Sequence, residues 1–205
     1  VSDDGLVFRT EPGIRLAPRP GLPHMSLRVL AASVTRSSGD GWRMYFESRG
    51  PADRPTVICS AVSDDMLDWK LEDGIRLENP GGLGGPRYLR LPDGRGRLYC
   101  CASEFGPGGP AGGQRQSKGV VSAITDDGLN FEFEPGVRMA DRQDEYDQVG
   151  ISAAEVIPPA STDDDWTMFY SVWQDVPAGT EVPVHPSEDA NAVAEGTSED
   201  FAAAS

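Results

Sequence analysis

A fifteen-residue pattern recurs three times at a nearly constant spacing, and this restricts the fold more than any other feature of the chain. Ser2-Asp3-Asp4-Gly5-Leu6-Val7-Phe8, followed by Glu11-Pro12-Gly13-Ile14-Arg15-Leu16, is matched without gaps by Ser63-Asp64-Asp65-Met66-Leu67-Asp68-Trp69 with Glu72-Asp73-Gly74-Ile75-Arg76-Leu77. The third copy is Thr125-Asp126-Asp127-Gly128-Leu129-Asn130-Phe131 with Glu134-Pro135-Gly136-Val137-Arg138-Met139. The copies begin at residues 2, 63 and 125, a period of 61 to 62 residues.

A second element alternates with the first. Trp42 to Ser48, Arg97 to Ser103 and Trp166 to Ser171 are aromatic-rich and of strand length, and each follows a Gly- or Asp-bearing turn. Further apolar runs lie ahead of them (Leu27 to Ala32, Tyr88 to Leu91, Ala153 to Ile157) and behind them (Thr56 to Val62, Val120 to Ile124). With 24 Gly and 17 Pro in 205 residues, long helices have no room, whereas short strands joined by tight turns do. The predicted unit is therefore strand, hairpin, strand, strand, then the Ser/Thr-Asp-Asp turn into a short fourth strand ending Phe/Trp-x-x-Glu. Four antiparallel strands in about 60 residues make a propeller blade, so the expected fold is an all-β propeller of four-stranded antiparallel blades, with about three blades present. In the repeated turn, Ser63 and Asp65 can accept backbone N–H bonds, and glycine at position 5 or 128 tolerates positive φ. These aspartates are expected to be scaffold, with Phe8, Trp69 and Phe131 packing between blades.

The Ser-x-Asp-Gly-x-x-Trp/Phe pattern, together with Leu91-Pro92-Asp93-Gly94-Arg95-Gly96-Arg97-Leu98-Tyr99, resembles the five-bladed propeller superfamily. That group holds glycoside hydrolase families 32, 43, 62 and 68 (the invertase, arabinanase and levansucrase types) and the inverting phosphorylases of family 130. Sialidase Asp-boxes are similar but carry their glycine one position later. The resemblance covers residues 1–175, and the acidic, Ala- and Pro-rich stretch 176–205 is read as a loop leading toward a next blade. Five blades at this period need on the order of 300 residues, so the chain is expected to be completed by further blades or by oligomerisation. The resemblance implies a carbohydrate substrate and the hydrolysis of glycosidic bonds. A non-catalytic sugar-binding or scaffold propeller and an inverting glycoside phosphorylase are the alternatives.

The net charge of −15, from 33 acidic and 18 basic residues, argues against a nucleic-acid partner, because such partners require a basic surface. Seven of the acids fall in 175–205, which has no Lys or Arg. Cys59, Cys100 and Cys101 are odd in number, and two are adjacent on a predicted strand where they face opposite ways, so buried thiols are expected rather than a disulfide framework. Two histidines and no ligand spacing leave no metal site, and no other cofactor is implied. No apolar run approaches the ~20 residues of a membrane span, and the polar first residues do not read as a leader, so a cytoplasmic location is the expectation.

Chemistry is expected where inner strands begin, around the mouth of a central funnel: near Pro23–Ser26, Gly85–Tyr88 and Asp147–Glu155. Glycoside hydrolysis uses two carboxyl groups, ~6.5–9.5 Å apart in inverting enzymes. Glu155 lies within an otherwise apolar strand, where burial would raise its pKa as a general acid requires. It is the proposed acid, or else a strand carboxylate facing solvent or pairing with a funnel arginine. Asp147, in the loop before it, is the candidate base or a sugar ligand. The first two inner strands carry His24 and Arg87 in place of an acid, a pair suited to an anion. Glu47 and Glu104, read as matching strand ends, are candidate sugar-hydroxyl acceptors or inter-blade salt-bridge partners. Gln148 and Trp173 are the remaining candidates for holding and stacking a sugar ring. The Gly-rich stretch Phe105 to Gln116 lacks a phosphate-loop ending and is expected to be an irregular insertion between strands.

Overall fold

Alternation of aromatic strands with Gly-bearing turns produces the antiparallel ladders seen in the computed structural model, which describes residues 1–37, 39–105, 115–140, 148–161 and 164–174. Two compact units result. One holds residues 1–17 among its described residues, and the other spans Pro18–Pro177. In the larger unit a first sheet is ordered β1 (Arg28–Arg36), β2 (Trp42–Arg49), β3 (Val57–Ser63), β4 (Lys70–Leu71). A second is ordered β5 (Leu83–Arg90), β6 (Gly96–Phe105), β7 (Arg115–Thr125), β8 (Glu132–Phe133), and β9 (Met139–Ala140) also pairs with β7. A two-stranded sheet, β10 (Gln148–Ile157) with β11 (Thr167–Gln174), completes the described residues. The predicted strand order within a unit is found. The three blades expected resolve, among the described residues, into two complete blades and one pair of strands. The loop predicted over 105–116 shortens, because β6 runs through Phe105 and β7 starts at Arg115; the stretch between them, and the tail predicted over 176–205, lie outside the described residues.

Sheets stack face to face, as the aromatic strands require if both of their sides are to be buried. Tyr45, Ile58 and Leu77 of the first blade pack with Leu83, Leu98, Cys100 and Ala123 of the second. Tyr99, Cys101 and Val120 on the opposite face of the second blade pack with Ile151, Ala154 and Val156 of β10. Middle strand β3 is buried on both faces, which is why it reads as an almost continuous apolar run. All three cysteines are buried in these layers. The outward face of β10–β11 leaves Ile157 and Phe169 exposed. Among the described residues no helix is long and apolar enough to cross a membrane.

Each conserved-in-register part of the repeat has a mechanical task. Ser63 Oγ accepts the N–H of Met66 at 2.9 Å, and Asp65 Oδ1 accepts those of Leu67 and Asp68 at 2.8 and 2.9 Å. Thr125 and Asp127 do the same for Gly128, Leu129 and Asn130. Ser2 and Asp4 repeat the pattern inside the smaller unit. Backbone N–H groups of Asn130 and Leu129 hold Asp127 far below the usual carboxylate range. These aspartates are structural, as the turn chemistry predicts. In the second and third copies the glutamate nine positions after the Ser or Thr anchors the blade, whereas Glu11 of the first copy pairs, among the described residues, only with the nearby Arg15. Glu72 takes a two-pronged bond from Arg43, both arms 2.9 Å, plus Ser60 Oγ at 2.7 Å. Glu134 takes the same from Arg97, both arms 2.7 Å, plus Ser122 Oγ at 2.6 Å. Of the repeat aromatics, Phe131 packs edge-on against Tyr45 of the preceding blade at 5.6 Å, whereas Phe8 is exposed.

One copy departs from the rule. The residue after the second aspartate has φ of 74° at Gly5 and 75° at Gly128, but the middle copy puts Met66 there at 64°. A left-handed L-residue costs roughly 1–2 kcal/mol, and glycine gives back part of the gain as unfolded-state entropy. Met66 is 43% exposed and loses little packing. Met66→Gly is therefore expected to raise unfolding free energy by about 0.5 kcal/mol, read from the denaturant midpoint; a fall of similar size would refute the strain argument.

Candidate functional site

Inner strands β1, β5 and β10 lie side by side, β1 against β5 and β5 against β10. Each carries a register shift: between Leu30 and Ser33, between Gly84 and Arg87, and at two places between Gln148 and Ala153. In β1 and β5 the bulge contains a left-handed residue, Ala31 at 52° and Gly85 at 55°. A bulge inserts one residue, and so turns the side chains beyond it onto the other face.

The ladders make the consequence explicit. Ser33 lies opposite Tyr45, Arg87 opposite Tyr99, and Glu155 opposite Phe169. Tyr45 and Tyr99 are themselves equivalent, since each faces a serine of the third strand, Ser60 and Ser122. Trp166-Thr167-Met168-Phe169 follows Trp42-Arg43-Met44-Tyr45 in sequence. Ser33, Arg87 and Glu155 thus occupy one position on three successive inner strands. The first two reach forward to the next strand: Ser33 Oγ accepts the N–H of Tyr88 at 3.0 Å, and Arg87 Nε donates to Glu155 Oε2 at 2.8 Å. Arg87 is also braced by donating to the carbonyl of Pro86 at 2.8 Å.

Two predicted site residues, sixty-eight positions apart, are therefore brought together. Other features of the prediction are corrected. Glu155 is 61% exposed, not buried, because the flanking Ala154 and Val156 take the inward face of β10 and the alternation sends Glu155 outward. It is also not at a strand start. β10 begins at Gln148, and Glu155 sits two residues from its far end. What remains is a carboxylate with one oxygen held by a guanidinium, at the exposed edge of the inner strands.

Glu47 behaves differently. It is 4% exposed, and its carboxylate accepts the N–H of Gly85 at 3.1 Å and the Arg49 guanidinium at 2.7 Å. The carboxylate so caps the β5 bulge from the neighbouring blade, and a Cβ at Gly84 would lie 2.7 Å from it. The matching of Glu47 with Glu104 is corrected: Trp42 opposite Ser63 and Gly96 opposite Thr125 make Cys101 the counterpart of Glu47. β6 is longer than β2, with a register shift at Ser103 and Glu104, and this moved the apparent end. His24 lies on a 3-10 turn, Pro23–Met25, and its carbonyl accepts Ser48 Oγ at 2.9 Å. No hydrogen bond or ion pair among the described residues joins His24 to Arg87 or Glu155. By backbone pairing, Glu104 is opposite Gln116, Gln148 opposite Gln174, and Trp173 opposite Gly150; their side chains, and Asp147 altogether, lie outside the described residues. Among the described residues no three His, Cys, Asp or Glu side chains converge as metal ligands would. Ser33 escaped the sequence reading because an inserted residue breaks the period-2 pattern that assigns faces. A left-handed Ala31 carries no signature in the sequence.

No protein-family model and no curated protein matches the sequence. Among solved structures, a thermostable family-43 glycoside hydrolase superposes with a TM-score of 0.54 at 16% identity, over 70% of this chain and 46% of that one. A structure from family 130, described as a family of mannoside phosphorylases containing glycoside hydrolases that target β-1,2 mannosidic linkages in Candida mannan, gives 0.51 at 14% identity, over 77% and 49%. The family-32 β-fructofuranosidase of Bombyx mori gives 0.50 at 12% identity, over 71% and 34%. The chain spans about half the length of the first two and about a third of the last. The likeness is one of fold: four-stranded antiparallel blades of the β-propeller type, as the repeat implied.

Proposed function

We propose that this β-propeller chain belongs to a carbohydrate-active protein that hydrolyses glycosidic bonds, with Glu155 and Asp147 as its candidate carboxylates and Arg87 orienting the first. The observation that carries the reading is the ion pair between Arg87 and Glu155, formed across two inner strands of a fold shared with glycoside hydrolases. A guanidinium holding one carboxylate oxygen leaves the other to accept a sugar hydroxyl or act in proton transfer. In the full-length protein, Glu155→Gln is expected to remove turnover of the glycosides that the wild type cleaves. Retained turnover in that variant would refute the role of Glu155.

A second reading is favoured by the exposure of Glu155: sugar binding without cleavage. Calorimetry of the wild type against a glycan panel separates the two. Saturable binding with no released product supports the binding reading, and product formation supports hydrolysis.

A further inference from the structure

We infer that the cleft between the first and second blades, at the hairpin ends of β1 and β5, binds a small oxyanion of phosphate or carboxylate type. It is a cavity of about 190 Å³, room for an oxyanion with several waters, since bulk water takes about 30 Å³ per molecule. Its floor is a pair of stacked rings, Tyr45 and Tyr88, with centroids 4.8 Å apart. Arg36 closes β1 and Arg90 closes β5, so two neighbouring inner strands deliver a guanidinium each to the same mouth. Thr35 and Ser37 add hydroxyl donors beside them.

The charge balance of the walls decides the sign of the ligand. Arg43 also lines the cleft, but both arms of its fork are committed to Glu72. Asp127 is committed to the N–H groups of Leu129 and Asn130 and to the Asn130 amide. That leaves Asp126 against Arg36 and Arg90. Arg36 is held over the Trp42 ring at 3.7 Å, which orients a guanidinium without neutralising it. Among the described residues no carboxylate pairs with Arg36 or Arg90. In a chain of net charge −15, two arginines left without acidic partners at one cleft stand against the overall composition. Two forked cations with adjacent hydroxyls are the donor set that planar or tetrahedral oxyanions take. The cleft is separate from the Arg87–Glu155 pair: Tyr88 turns toward the first blade, and its neighbour Arg87 toward β10.

Titration calorimetry of the full-length protein with inorganic phosphate and with glucuronate, at fixed ionic strength in chloride, tests the site. Saturable binding of at least one probe is expected, and the probe that binds distinguishes free phosphate from a carboxylate sugar. Arg36→Gln and Arg90→Gln should each weaken that binding by about tenfold, the loss of one charge-assisted interaction. Both side chains are exposed, so the melting temperature without ligand should not move in Arg90→Gln and should fall by no more than about 4 °C in Arg36→Gln, which gives up the Trp42 contact. Asp126→Asn should tighten binding, because it removes the opposing charge. Absence of saturable heat with both probes, unchanged affinity in both arginine variants, or weaker binding in Asp126→Asn would each overturn the proposal.

Discussion

Tyr45→Ala is expected to lower the unfolding free energy by about 4 kcal/mol, the usual cost of emptying an aromatic site in a packed core. Tyr45 is almost fully buried, stacks on Tyr88, meets Phe131 edge-on, and donates its hydroxyl proton to the Gly128 carbonyl at 2.8 Å. Both partner rings and the carbonyl belong to the second blade, so one side chain carries much of the contact between sheets. Burial pushes its phenol pKa well up, so the hydroxyl remains a donor across the working pH range. For a chain of this size the loss corresponds to roughly 10 °C in melting temperature. Tyr45→Phe separates the contributions: it keeps the ring and leaves one buried carbonyl unpaired, for about 1 kcal/mol. Equal losses in the two variants would show that the rings contribute nothing, and a loss below about 1 kcal/mol in Tyr45→Ala would refute the interface argument.

The second large effect lies in the arginine–glutamate anchors. Side chains of Arg97 and Glu134 are 26% and 20% exposed, so Glu134→Gln leaves a guanidinium and the Ser122 hydroxyl poorly compensated in a partly dry site. A cost of about 2 kcal/mol is expected, below the 3–5 kcal/mol of a fully buried pair. The comparison is Asp93→Asn. Asp93 and Arg95 form a pair of similar length, 2.8 Å, but are each about half exposed, and the denaturant midpoint should not move measurably there. The same logic sets the acid limit. Burial opposes the ionisation of Glu134, but bonds from Arg97 and Ser122 outweigh it and hold the carboxyl below its usual range. The turn carboxyls of Asp4, Asp65 and Asp127 are also depressed, chiefly by backbone N–H groups. A group with a depressed folded-state pKa contributes stability that is complete above its unfolded value and disappears as pH falls through the folded one. The melting temperature should therefore drop steeply below about pH 4, and the drop should be shallower in Glu134→Gln. A melting temperature that holds steady down to pH 3 would contradict this.

Much of the fold could be read from the residues because its signals are local. Turn chemistry at Ser63-x-Asp65 and Thr125-x-Asp127 depends on atoms within three residues, and glycine at 128 reports a positive φ directly. Aromatic alternation in Trp42–Ser48 and Arg97–Ser103 marks strands by the same short-range logic. The resemblance to propeller hydrolases followed from those scaffold motifs, and for that reason it carried fold well and chemistry poorly.

The site was harder, and Glu155 shows why. Its apolar neighbours were legible, but the face it takes follows two register shifts ahead of it in β10, at 148–150 and 151–153, which the residue pattern does not announce. Glu47 reads like any strand-end acid until the Gly85 N–H of the next blade arrives at 3.1 Å.

What the sequence by itself determined is the repeating blade: its period, its turns, its strand order and the structural use of its aspartates. These rest on contacts between residues close in the chain. Only the tertiary structure decided that Ser33, Arg87 and Glu155 share one position on adjacent inner strands, that Arg87 meets Glu155 across 68 residues, and that Arg36 and Arg90 stand at one cleft. Bulges and sheet stacking place those groups, and neither is recorded in the spacing of residues along the chain.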